Sequence, residues 1–292
     1  MKFLIVFIIT YCISNSSYLL AQDFSVYYLS SRYSEKEKRI LESNNLYRKY
    51  YLVGEWILTP KRNGELDINN ITKWIEDTFP KLNDESFVVI DIEGTVMENL
   101  RDGIDGDLKF EKAKDVYIQA IRAIRKLRPN LNIGIYGLPS RVYYKNLFKG
   151  DDTKLLPILR LCDFVSPAPY IIFPDHERGA QANDNYIKFN VQRAIKLANL
   201  TKKEVIPFVW PVVHTINKRY KGQLIEPSIM KRYLNVIKNV KVDGKQCSGV
   251  FWWESPATDQ FNTKVLSKSR INVGKGKTIE NLLIESTKNL FK

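Results

Sequence analysis

The chain has 292 residues, a net charge of +13 from 45 Lys and Arg against 32 Asp and Glu, and only 3 cysteines and 2 histidines. That length suits one barrel of roughly 250 residues or two small domains. The cysteines are too few for a disulfide framework, and no Cys/His cluster has metal-ligand spacing, so no metal site and no cofactor are expected. The basic excess points to an anionic partner or to solvated helix faces.

The first 21 residues, MKFLIVFIITYCISNSSYLLA, set one lysine before an apolar run, then a polar Ser-Asn stretch, then Leu-Leu-Ala. This is the pattern of a signal peptide cleaved after Ala21, and the run is too short for a comfortable membrane span. It predicts a secreted or periplasmic protein with no membrane span after cleavage.

Beyond it, apolar runs alternate with amphipathic stretches. FSVYYL (24–29) reads as a strand and 34–45 as a charged helix; YYLVGEWIL (50–58) is a second strand with Glu55 and Trp56 near its end. Residues 69–79 place Ile71, Trp74, Ile75 and Phe79 near helical spacing. SFVVIDIE (86–93) is the third strand, and 110–128 a long helix stopped at Pro129. NIGIYGLP (132–139), DFVSPAPYIIFP (163–174), EVIPFVWPVV (204–213) and SGVFWWES (248–255) continue the series, with helices near 153–161, 184–199 and 226–239. Seven strands separated by helices, without hairpin signals, predict a parallel sheet. No G-x-G-x-x-G opens a helix after the first strand, so the fold predicted is a (β/α) TIM-type barrel over 22–262. A basic tail, 263–292, is amphipathic near 278–290.

The third strand raises a question. It is apolar until Asp91, and Glu93 follows two positions later. Residues i and i+2 of a strand share a face, so two like charges would stand side by side. A helix cap and a lysine partner are the plain explanations of an isolated D-x-E. Here, however, the pair ends a buried strand just before Gly94, where barrel enzymes place their chemistry. Other strand ends carry Tyr136, Tyr170, Trp210, His214, Trp252, Trp253 and Glu254. Aromatic faces stack on sugar rings, and carboxylates deliver protons in glycosidic cleavage.

These blocks resemble the hyaluronidase family of glycoside hydrolases. VVIDIEG is similar to that family's strand-end V-I-D-W-E-E-W, FEKAKDVYIQAIRAIRKLRPN to the helix that follows, IGIYGLPS to W-G-Y-Y-x-x-P, SPAPYI to P-S-x-Y-L, and GVFWWES to G-V-x-x-W-G-S. The order and approximate spacing hold over residues 24–256. The family's second Glu and second Trp are Gly94 and Thr95 here.

The resemblance implies a retaining glycosidase without an enzyme nucleophile. Glu93 would be the general acid/base, and Asp91 would steady the substrate's N-acetyl group. Tyr136, Tyr170 and Trp253 would shape the acetamido pocket, and Trp210 and Glu254 join them as strand-end candidates for sugar binding. The implied partner is an anionic or N-acetylated polysaccharide, a hyaluronan-like glycosaminoglycan or a related N-acetylhexosamine polymer. Two carboxylates so placed resist ionising together, so one keeps its proton to higher pH. Two alternatives stand beside this: a carbohydrate-binding barrel without turnover, and a conventional retaining hydrolase with Glu254 as nucleophile. Nucleic acid is not expected, because no binding motif accompanies the basic charge.

Overall fold

The computed structural model describes residues 24–59, 61, 64–148, 150–253 and 279–287. The 1–21 leader and Glu254 lie outside them, and among the described residues no helix is long and apolar enough to cross a membrane.

The described chain runs β1 (Ser25–Leu29), α1 (Glu35–Glu42), β2 (Tyr47–Gly54), α2 (Glu55–Leu58), α3 (Ile68–Thr78), β3 (Phe87–Asp91), α4 (Gly94–Asp102), α5 (Leu108–Leu127) and β4 (Asn132–Ile135). It continues through α6 (Leu156–Leu159), β5 (Phe164–Val165), α7 (Asp175–Arg178), α8 (Ala180–Thr201), β6 (Glu204–Val205), β7 (Phe208–Val209), α9 (Pro227–Asn239), β8 (Gly249–Trp252) and α10 (Ile279–Thr287). Local signals set several boundaries. Ser34 and Glu37 form a reciprocal capping box at the start of α1, and the Asp67 side chain accepts from Asn70 N–H at the start of α3. Helix α5 buries Phe110, Ala113, Tyr117, Ala120, Ile121 and Ile124, one stripe at three- and four-residue spacing, and ends just before Pro129.

All strand pairs are parallel, in the order β4-β3-β2-β1-β8-β7, with β5 beside β6. Backbone bonds close the ring. Asp163 N–H donates to Ile133 O at 2.7 Å and Gly137 N–H to Ser166 O at 2.9 Å, joining β4 to β5; Ser248 N–H donates to Val205 O at 3.0 Å, joining β6 to β8. Strands β6 and β7 are one predicted strand interrupted at Pro207, which has no N–H to donate, although its carbonyl still accepts from Phe251 at 2.9 Å. The result is the (β/α) barrel expected from the alternation.

Strand parity sorts the core into two layers. Val26, Tyr28, Val88 and Ile90 face the helices, whereas Tyr27, Leu29, Tyr50, Val89, Phe164, Phe208 and Phe251 fill the interior. Phe208 and Phe251 stack with centroids 4.8 Å apart. Gly134 makes this filling possible, because a Cβ there would stand 2.0 Å from the Phe164 ring. Helix α10, within the predicted basic tail, packs with Leu283 fully buried, and Thr287 Oγ1 lies 2.7 Å from the Tyr47 hydroxyl.

Three local expectations need correction. The second strand ends at Gly54, not 58, and Glu55 begins a helical turn. Trp56, 63% exposed, lies outside the strand with its ring folded over Gly54. The third strand stops at Asp91, because its partner residue Gly54 is the last of β2 and β4 ends opposite Ile90. Helix α4 was not foreseen, although Val96, Met97 and Leu100 supply a helical stripe. Cys162 and Cys247 are both buried and free.

Candidate active site

The strand-end residues gather at the C-terminal end of the barrel. Asp91 and Glu93 do not share an exposed face. Asp91 is the last residue of β3, with Oδ1 sealed from solvent, while Glu93 has left the strand and is exposed. Gly94 follows at φ +61°, a left-handed turn that suits glycine and starts α4. From behind, the buried Tyr117 hydroxyl of α5 donates to Ile92 O at 2.7 Å, fixing the segment between the two carboxylates.

The charge distribution at this end is unequal. Burial first, then the negative charges of Glu93 and Glu55, push the Asp91 carboxyl from 3.8 up to about 7. Asp91 thus keeps its proton to higher pH than an ordinary carboxyl. Glu55 is the third acid of the group: it follows the Gly54–Asp91 pair, and its Oε1 would lie 3.9 Å from a Cβ on Gly94.

A cleft of about 560 Å³ opens here, with Glu93, Tyr136, Arg141 and His214 in its wall. Tyr136 continues the inward parity of β4, and its ring lies 5.1 Å from Phe208 and 6.1 Å from Tyr170. Burial raises the Tyr136 phenol to about 12, so it stays a neutral donor in the working range. Tyr170 and Trp210, centroids 5.5 Å apart, are buried behind this wall. The Tyr170 hydroxyl, although near that of Tyr136, closes no hydrogen bond of normal geometry, and the Trp210 indole N–H and Asp91 Oδ1 likewise have no partner. Trp253 is half-buried against the interior cluster but is not in the cleft wall, and Trp252 faces the helix layer.

Buried polar atoms are almost always paired, and leaving one unpaired costs about 1–3 kcal/mol. Three such atoms, Asp91 Oδ1, the Tyr170 hydroxyl and Trp210 Nε1, lie at the same barrel end, beside a cleft. Their chemistry is a carboxyl, a phenol and an indole N–H, suited to an amide and hydroxyls beside an apolar ring face. Among the described residues no cluster of His, Cys, Asp and Glu has the arrangement of a metal site.

Two cleft residues escaped the sequence reading as a unit. Arg141 donates to His214 Nε2 at 2.9 Å, and its guanidinium lies 5.8 Å over the Tyr170 ring. Desolvation and the Arg141 charge lower His214 to about 4, so the imidazole is neutral. The one available signal was the position of Arg141 in a strand-end loop, five residues after Tyr136.

No family model matches the chain, and no curated protein matches it in sequence. Among solved structures, bee venom hyaluronidase in complex with a hyaluronic acid tetramer aligns with a TM-score of 0.61 at 14% identity, covering 84% of this chain and 95% of that one. A monoclinic crystal structure of bee venom hyaluronidase gives a TM-score of 0.58 at 13% identity, covering 84% and 99%. At such identities the likeness extends to the fold alone: this chain is similar to that barrel over 84% of its own length and nearly all of the other's.

Proposed function

We propose that this protein is a glycoside hydrolase that cleaves an N-acetylhexosamine-containing polysaccharide with retention, through assistance by the substrate's own acetamido group. The observation that carries the reading is exposed Glu93 in the wall of a cleft at the barrel end that also holds Asp91, Tyr170 and Trp210, whose buried polar atoms lack partners. Solvent-facing Glu93 is the proton donor to the departing glycosidic oxygen. Asp91 holds the acetamido N–H, and the Tyr170 hydroxyl donates toward the acetamido oxygen as it attacks the anomeric carbon. The attack is intramolecular and gains the effective molarity that an external nucleophile lacks. The glycosidic bond breaks as the ring-closed oxazoline forms; Glu93, now ionised, takes a proton from the water that reopens it. Overall one water is consumed and the anomeric configuration is kept. The hyaluronidase-like motif order and the barrel shared with bee venom hyaluronidase support the same substrate class.

The test is a panel of hyaluronan, chondroitin, chitin oligosaccharides and peptidoglycan glycan strands, assayed for new reducing ends. Activity on at least one is expected, and Glu93→Gln should lower it by about 10²–10⁴-fold. A Glu93→Gln variant that turns over at the wild-type rate would overturn the assignment.

A further inference from the structure

The acid group does not account for Arg141. The strand-end segment around Arg141 is anchored on α8 through Ser140, Val142 and Asp152. Arg193 on α8 donates to both Asp152 carboxylate oxygens at 2.8 and 2.6 Å and to Ser140 O at 2.8 Å, and Asn190 exchanges two bonds with the Val142 backbone at 2.8 and 2.9 Å. Arg141 is therefore presented by a braced loop, and its contact with His214 fixes one edge of the guanidinium.

The neighbouring cations have partners. Arg101 makes two 2.7 Å bonds to Asp102, Arg193 is paired with Asp152, and Lys154 Nζ is bonded to the carbonyls of Arg101 and Gly103. Arg141 has no carboxylate within 4 Å among the described residues, and its imidazole partner is uncharged. It also stands on the wall shared by the 560 Å³ cleft and an adjoining cavity of about 440 Å³, together with Arg101, Ser140 and Tyr143. Glu98 lines the same cleft, so an anionic sugar entering it meets like charge unless a cation receives its acid group. A guanidinium with one donor engaged keeps a planar fork for a second, bidentate partner, and that geometry matches a carboxylate.

We infer that Arg141 is a specificity residue that binds a carboxylate carried by the glycan, on a sugar next to the one cleaved, with the adjoining cavity taking the substituent that bears it. This rests on the proposed glycosidase reading and narrows its substrate to acidic chains. A uronic acid ring carboxylate and a muramyl lactyl-ether carboxylate are the two sources of that chemistry.

Binding separates the inference from catalysis. Full-length protein carrying Glu93→Gln is titrated calorimetrically with hyaluronan hexasaccharide, muramyl-containing glycan-strand oligosaccharides with free lactyl carboxylates, the carboxyl-reduced form of each, and chitin hexasaccharide. One carboxylated ligand, uronate or muramyl, should bind about 10- to 100-fold more tightly than its carboxyl-reduced counterpart, and which one does so identifies the source. Adding Arg141→Gln should collapse that preference to near unity, while Arg141→Lys, keeping charge but not the fork, should retain part of it. An Arg141→Gln loss that is equal for carboxylated and carboxyl-reduced forms, or an absent preference, overturns the carboxylate assignment and leaves the glycosidase reading standing. Failure of every glycan to bind overturns both.

Discussion

Replacing Asp91 by Asn removes a carboxyl that the folded chain protonates and the unfolded chain ionises. Its folded value of about 7 lies above the ordinary 3.8, chiefly through burial and then through Glu93 and Glu55. The folded state therefore binds the proton more tightly. The resulting stabilisation is fully present below the unfolded value and is lost as pH rises through the folded one. At about 1.36 kcal/mol per pH unit, the interval from pH 5 to pH 7 removes about 3 kcal/mol from the wild type. Asn has the same shape and no ionisation, so Asp91→Asn does not lose this contribution. Urea unfolding of both proteins at pH 5 and pH 8 checks it, because ionisations common to the two cancel in the difference. The stability of Asp91→Asn relative to wild type should rise by about 3 kcal/mol between those pH values. A difference that stays flat, or falls, refutes the argument that burial and the neighbouring acids raise Asp91. The accompanying expectation is a gain in stability at pH 8 with a loss of turnover, the usual exchange when a strained site is relaxed.

Two other expectations follow from the geometry. Gly134→Ala drives a methyl into the Phe164 ring at 2.0 Å in the barrel interior, and should destabilise by about 1–3 kcal/mol in denaturant melts; an unchanged midpoint would mean the interior has room the packing denies it. A thiazoline analogue of the acetamido intermediate should inhibit competitively and bind more weakly to Asp91→Ala, whereas efficient hydrolysis of a non-acetylated glucoside would rule out assistance by the substrate.

The alternation of apolar runs with amphipathic stretches was enough to specify the barrel, because strand and helix periods are local properties of the chain. Strand-end position likewise singled out Asp91, Glu93, Tyr136, Tyr170 and Trp210 before any packing was known, since a parallel barrel brings all its strand ends to one mouth. The relation between Asp91 and Glu93 was a different matter. The rule that i and i+2 share a face holds only while the strand lasts, and β3 lasts only as long as its neighbours β2 and β4 pair with it. The ladder ends at Asp91, leaving that carboxyl desolvated and Glu93 in solvent, so tertiary pairing determined that burial raises Asp91. The same holds for Arg141 and His214, 73 residues apart in sequence and 2.9 Å apart in space, and for Glu55, brought beside Asp91 by the β2–β3 register. A desolvation cost and an unpaired charge are sums over neighbours from distant parts of the chain, and closing the barrel is what assembles those neighbours.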